Sequence, residues 1–129
     1  MFKHDHYLIM PETNLRKRTF EFAIFVGRLI LVLPFNIINR QYFDQLVRSS
    51  SSVGANYRAS QRAKSDNDFI NKLKIVEEEA DESVYFMELL LAFNPDHSNL
   101  ISPLINEGTE ILKIVASINT TKTRINFKN

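Results

Sequence analysis

Apolar residues recur at helical spacing along most of the chain and predict a series of amphipathic helices. From residue 15 to residue 33 they step by three, four or seven positions, as one buried face of an α-helix requires. Asn14 precedes this run as an N-cap, and Pro34 ends it because proline disfavours the helical conformation in the residue before it. We therefore predict a first helix over about 14–33, with Leu15, Phe22, Val26, Leu29 and Leu33 facing inward.

A second helix is predicted over about 37–61, although its middle has an unusual composition. Leu46, Val53 and Tyr57 keep the apolar spacing there. Residues 49–54, however, are four serines, a valine and a glycine. Serine and glycine are poor helix formers, so propensity alone predicts a linker in this segment.

The third and fourth helices have clearer patterns, over about 65–94 and 98–120. The third is capped at Ser65 or Asp66, and its acidic residues lie mainly opposite a buried stripe. Near its end it is apolar almost all round, which indicates contacts on more than one side. The polar, basic tail beyond Thr120 is expected to fray.

These four helices and their short connections predict an all-α fold, an antiparallel up-down-up-down four-helix bundle. We expect residues 1–129 to form one domain, since that length suffices for a core. Three glycines and four prolines are few, which favours long helices over a turn-rich β-sandwich.

Composition narrows the compartment of the protein. The chain has no cysteine, which excludes disulfides and thiolate zinc sites and suits a reducing cytosol. Its first residues lack the apolar core of a signal peptide, and the run from Leu29 to Phe35 is too short to span a membrane. We therefore expect a cytoplasmic protein without a membrane partner.

Charge is strongly segregated along the chain, although the net charge is only +1. Residues 12–64 hold nine Lys and Arg against three Asp and Glu, whereas residues 65–110 hold two against eleven. Such asymmetry is a hint about partners. Two interpretations stay open: basic and acidic helices neighbour each other in one bundle, or a basic face meets a second subunit's acidic face or a nucleic acid.

Two spaced blocks of residues carry a family resemblance. They read Gln45-Leu46-x-Arg48-Ser49-x-x-Ser52-Val53-Gly54-Ala55-Asn56-Tyr57-Arg58, and then Gln61-Arg62-Ala63-x-Ser65-x-x-Asp68-Phe69-Ile70-x-Lys72-Leu73-Lys74-Ile75. With the continuation Glu79-Ala80-Asp81-Glu82-Ser83-x-Tyr85-x-x-Glu88-Leu89-Leu90, they resemble the bacterial four-helix-bundle family known from open reading frames inserted in 23S ribosomal RNA genes.

The resemblance implies that the serine segment is helical, with small side chains that let another helix approach closely. It also implies a homo-oligomer, expected to be a five-membered ring. One relative, the accessory variability determinant of diversity-generating retroelements, is a basic pentamer that binds a reverse transcriptase and nucleic acid. We therefore expect structural or oligomer-forming roles for Ser49, Ser52, Gly54, Asn56, Tyr57, Glu79 and Glu82.

The basic residues from the first helix to Lys64 are the candidate binding residues of the chain. Their ligand would be the phosphate backbone of RNA or DNA. Three of them, Arg48, Arg58 and Arg62, are spaced to fall near one side of the second helix. Against this, the isoelectric point near 8.0 is modest for a nucleic-acid-binding protein. The predicted nucleic-acid-binding residues are Arg16, Lys17, Arg18, Arg48, Arg58, Arg62 and Lys64.

No pattern in the sequence predicts catalysis, a cofactor or a metal site. The acidic cluster at 77–82 lacks the Glu-x-x-His pairs of di-iron bundles, and His4 and His6 alone make a weak metal site. The serines lack a Gly-x-Ser-x-Gly context. We expect a non-enzymatic scaffold that recruits nucleic acid or a nucleic-acid enzyme such as a reverse transcriptase; the alternative is a purely structural or protein-interaction module.

Overall fold

The computed structural model of the protein describes residues 11–128, with side chains from 15 to 125. Four α-helices follow one another: α1 (Pro11–Val32), α2 (Ile37–Ser60), α3 (Asp66–Phe93) and α4 (Ser98–Lys128). A 3-10 turn, Pro95–His97, joins the last two. No strand occurs within the described residues, so the predicted all-α class is confirmed.

The helices pack as a four-helix bundle, as predicted. Each packs on its neighbours in sequence, and α1 also packs on α4, while the backbones of α1 and α3 are not adjacent within the described residues. The α2–α3 and α3–α4 contacts are the most extensive, and α1 is the most lightly packed helix. Short connections between consecutive helices require this antiparallel order.

The predicted inward faces form the core. Side chains at helical spacing are buried in all four helices, and larger apolar residues fill the space between them. The five positions predicted for the first helix are all buried. The core comprises Leu15, Phe22, Val26, Leu29, Leu33, Phe43, Leu46, Val53, Tyr57, Leu73, Val76, Ala80, Met87, Leu90, Ile101, Leu104, Ile111 and Val115.

Capping side chains set the starts of two helices. The Asn36 side-chain oxygen accepts a hydrogen bond from the Asn39 backbone N–H at 2.8 Å, and α2 begins after it. The Ser65 hydroxyl accepts from the Asp68 N–H at 3.1 Å in the same way, and α3 begins at the next residue. Of the two caps proposed for the third helix, Ser65 is therefore the one the structure uses.

Two helix ends differ from the sequence prediction. The first helix begins at Pro11 rather than after Asn14, because proline is well suited to a first helical position. The last helix continues to Lys128 instead of ending near Thr120. Its C-terminal part is tied to α3 by Lys122, whose ammonium lies 2.9 Å from the Asp66 carboxylate.

The serine segment is helical, which confirms the expectation from the family resemblance and overrides propensity. Ser49 is buried, and its hydroxyl accepts a hydrogen bond from the Ser83 hydroxyl of α3 at 2.9 Å. On the α1 side, a Cβ added to Gly54 would stand 3.2 Å from the Thr19 hydroxyl oxygen. Small side chains in α2 therefore allow both neighbouring helices to approach closely.

Candidate nucleic-acid interface

Most of the basic residues predicted to contact nucleic acid lie on the surface of α1, α2 and the turn after α2. Six of the seven are exposed: Arg16, Lys17, Arg48, Arg58, Arg62 and Lys64. They differ, however, in what surrounds each charge within the chain.

Arg18 is not a surface base, and its inclusion in the predicted set was wrong. Only 4% of the residue is exposed. Its Nε and one terminal nitrogen donate to the two carboxylate oxygens of Glu107 in α4, at 2.7 and 2.8 Å. This hydrogen-bonded pair raises the pKa of Arg18 above its ordinary value, although burial opposes the shift. The guanidinium therefore joins α1 to α4 and is unavailable to a phosphate.

The helical phase of the sequence contained the signal that Arg18 is buried. Arg18 lies three residues after Leu15 and four before Phe22, both on the inward face of α1. A charged residue on that face needs a partner, and Glu107 supplies it from a distant part of the chain. Arg16 and Lys17 occupy the outward phase and are exposed.

Arg48 is exposed but neutralised by α3. Its guanidinium lies 3.1 Å from a carboxylate oxygen of Glu79 and also pairs with Glu82. The two glutamates, for which structural or oligomer-forming roles are expected, therefore contact an arginine of their own chain. A phosphate at Arg48 would have to compete with two carboxylates, so we leave Arg48 out of the candidate surface.

The remaining bases form a surface at one end of the α1–α2 pair. Because the helices are antiparallel and Thr19 packs on Gly54, Arg16 lies level with the last turn of α2, where Arg58 stands. Lys17 is exposed but has an interaction within its own chain, so we leave it out. Among the described residues, no carboxylate lies within ion-pair distance of Arg16, Arg58, Arg62 or Lys64. We define the basic surface as Arg16, Arg58, Arg62 and Lys64.

An aromatic ring lies within the basic surface, and the sequence alone did not reveal it. The Arg58 guanidinium carbon stands 5.9 Å from the centroid of the Phe20 ring, within cation–π range. More than half of Phe20 is exposed, at 54%. Phe20 and Arg58 are far apart in sequence, so no local motif of alternating aromatic and basic residues could show the pair.

The small and polar residues of α2 for which structural roles are expected differ in burial. Ser49 and Tyr57 are buried, while Ser52 and Asn56 are half-buried. The Asn56 amide donates to the Ser52 carbonyl oxygen one turn earlier, at 2.9 Å. Gly54 packs against Thr19 of α1.

The acidic cluster of α3 is divided between two neighbouring helices. Glu79 and Glu82 face Arg48 of α2, whereas the Glu77 carboxylate accepts from the Asn119 amide of α4 at 3.2 Å. Within the described residues, no three His, Cys, Asp or Glu side chains are placed to hold a metal ion. The pair His4 and His6 lies outside the described residues. Across residues 11–128 no helix is both long and apolar enough to traverse a bilayer.

Comparison with known families gives a match over most of the chain. The model of the 23S rRNA-intervening sequence protein family matches residues 12–117. The chain belongs to that family. The match begins in α1 and ends inside α4, so the bundle described above is the fold of this 23S rRNA-intervening sequence protein family member.

A solved structure supports the same assignment. This 23S rRNA-intervening sequence family member is 35% identical to a protein of unknown function from the S23 ribosomal protein family of Bacteroides thetaiotaomicron. The alignment covers 81% of this chain and 97% of that chain, with a TM-score of 0.71. Comparison with curated proteins gives no match.

Proposed function

We propose that this protein is a non-enzymatic, homo-oligomeric scaffold that binds RNA or DNA, or a nucleic-acid enzyme bound to it. The family resemblance implies the oligomer, a five-membered ring, and a reverse transcriptase as the type of enzyme recruited. A cytoplasmic location is part of the proposal and fits a chain without cysteine.

The basic surface is the observation that carries the nucleic-acid part of the proposal. Arg16, Arg58, Arg62 and Lys64 are exposed, and no described carboxylate pairs with them. Basic side chains at one end of the α1–α2 pair suit a phosphate backbone, and binding releases the counterions condensed on the nucleic acid. A ring of subunits would repeat this surface around its circumference.

The proposal is tested by binding of a labelled single-stranded RNA and a labelled DNA duplex, followed by fluorescence anisotropy over a series of salt concentrations. We expect the affinity to fall as the salt concentration rises. In a plot of log affinity against log salt concentration, the downward slope should be about 0.7–0.9 per neutralised phosphate. Replacing Arg58 and Arg62 by Glu should weaken binding to both probes and flatten the slope.

A matched control separates local contact from net charge. Lys74→Glu with Lys113→Glu changes the net charge equally, at exposed positions on α3 and α4. This control should bind nearly as well as the natural protein once salt screens long-range attraction. Absence of binding to either probe at low salt would overturn the nucleic-acid part of the proposal.

The alternative function is a protein-interaction module without nucleic-acid binding. Exposed apolar side chains favour it, since Leu31 and Phe35 are 85% and 78% exposed. In that case charge segregation serves subunit assembly alone, and neutralising Arg58 and Arg62 should dissociate the oligomer. Light scattering distinguishes the two functions: under the scaffold proposal the same substitutions remove nucleic-acid binding but leave the molecular mass unchanged.

A further inference from the structure

Helix α1 has a second apolar face that points away from the core. Phe20, Ile24, Gly27 and Leu31 are separated by four, three and four residues, which places them along one side of the helix. The three side chains are 54%, 39% and 85% exposed, respectively. We call these four residues the outer stripe. Apolar spacing of this kind is typical of a helix that packs against another helix.

Gly27 distinguishes the outer stripe from scattered surface apolar residues. Apart from its two chain neighbours and the nearby backbone of its own helix, no described atom lies within 4 Å of the position where a Cβ would stand. A glycine inside a helix costs about 0.5–1 kcal/mol relative to alanine, and no contact inside this protein requires it. The missing side chain instead allows a helix from outside the molecule to approach the α1 backbone.

A complementary surface lies on a different side of the bundle. Tyr85 and Phe93 of α3 are both 56% exposed. Together with Tyr42 and Phe86 they form a row of rings whose neighbouring centroids are 5.5 to 6.1 Å apart. We call these four residues the aromatic row. Because the backbones of α1 and α3 are not adjacent, the outer stripe lies on a different side of the bundle from the aromatic row of its own chain.

Charges next to the two surfaces have opposite signs. Arg28 is exposed on α1, next to Gly27 of the outer stripe. On α3, Glu78 and Glu88 are exposed on the side that carries Tyr85, about 15 Å apart. If the outer stripes of two copies packed on each other, arginine would face arginine. If the outer stripe of one copy packs on α3 of a second copy, arginine faces glutamate.

We propose that the outer stripe of one copy docks on the aromatic row of a second copy, with Gly27 at the closest approach of the two helices. The proposal rests on the homo-oligomer of the proposed function and specifies its interface. The contact is head-to-tail, so each copy keeps one unused surface until a ring closes. Arg28 then faces the acidic side of α3 in the next copy.

The test uses two full-length variants that each lose one surface. Gly27→Leu places a bulky side chain on the outer stripe, at a position where an added Cβ stands in open space. Tyr85→Asp puts a charge into the aromatic row at an exposed position. Lys113→Leu is a matched control, because it adds an apolar side chain at an exposed position on α4. Circular dichroism checks that each variant stays helical.

Size-exclusion chromatography with light scattering gives the outcome. We expect each blocked variant to be a monomer, the Lys113→Leu control to keep the natural mass, and an equimolar mixture of the two blocked variants to form a one-to-one heterodimer. Adding Arg28→Glu to the Tyr85→Asp copy should weaken that heterodimer on the order of tenfold.

The possible failures are distinguishable. If the natural protein is an oligomer but the blocked variants keep its mass, or their mixture stays monomeric, the head-to-tail interface is wrong and the proposed oligomer stands. If the natural protein is a monomer at every concentration, the oligomer of the proposed function fails, and the interface fails with it.

Discussion

Asn39 and Asn94 exchange two side-chain hydrogen bonds across the bundle, each 2.9 Å long. Both amides are buried, and both also donate to a backbone carbonyl. Asn39 donates to Pro34 at 2.9 Å, and Asn94 donates to Leu90 at 2.8 Å. The pair therefore holds the α1–α2 connection against the end of α3, with both amide groups hydrogen-bonded in low dielectric.

We predict that Asn39→Ala and Asn94→Ala each destabilise the fold by about 1–3 kcal/mol, because each leaves the other buried amide without its partner. The double variant should lose less than the sum of the two, with a coupling energy of about 0.5–3 kcal/mol. Urea unfolding of the four proteins at one protein concentration measures the cycle. Additive losses would show that the two amides act independently.

The buried pair of Arg18 and Glu107 predicts a different pattern. Arg18→Leu leaves the poorly exposed Glu107 carboxylate without its partner, and Glu107→Leu leaves the buried Arg18 guanidinium without its partner. Each substitution should lower the free energy of unfolding by up to about 3–5 kcal/mol. Replacing both residues by leucine should restore most of the stability, since the desolvation of two charges is then avoided. Thermal unfolding of the single and double variants is the measurement. A double variant no better than the singles would contradict this.

The three glycines predict three different responses to alanine. A Cβ at Gly108 would stand 2.9 Å from a Val84 methyl carbon and 3.3 Å from the Phe22 ring, so Gly108→Ala should lose about 1–3 kcal/mol through overpacking. At Gly54 the neighbouring Thr19 hydroxyl must yield slightly, and the substitution should be near neutral. Gly27→Ala meets open space and should gain about 0.5–1 kcal/mol.

The glycine series is best measured by urea unfolding in the Tyr85→Asp background, which removes the proposed subunit contact. Any effect of Gly27→Ala on assembly is then absent, and only the stability of the single chain is compared. A loss of stability at Gly27 in that background would mean that the position is packed within its own chain.

Asp68 predicts a local dependence on pH. The Lys72 ammonium, 2.5 Å away, and then the Lys64 backbone N–H hold the pKa of Asp68 below its ordinary value of 3.8. Because the folded pKa is the lower one, the stabilisation is present above pH 3.8 and is lost as pH falls through the folded pKa. A carbon-detected NMR titration of the carboxyl group measures this pKa. In Lys72→Met it should move up toward its ordinary value, while an unchanged pKa would assign the shift to Lys64 alone.

Much of the fold could be predicted because helical spacing is a local property. The phases of Leu15, Phe22 and Val26 predicted the buried face of α1, and the structure buries all three. Ignoring the same spacing caused an error: Arg18 has the helical phase of the buried residues but was counted among the surface basic residues. Propensity alone failed at Ser49, because it omits the close α2–α3 contact that small side chains permit.

The sequence by itself determined the four helices, their inward faces and the separation of basic and acidic charge, since each depends on residues a few positions apart. Only the tertiary structure decided that Arg48 is neutralised by α3, that Phe20 lies under Arg58, and that a Cβ at Gly27 would stand in open space. Such relations depend on how antiparallel helices align. That alignment depends on how the side-chain surfaces of helices distant in sequence fit together. The spacing of apolar residues within one helix does not contain this information.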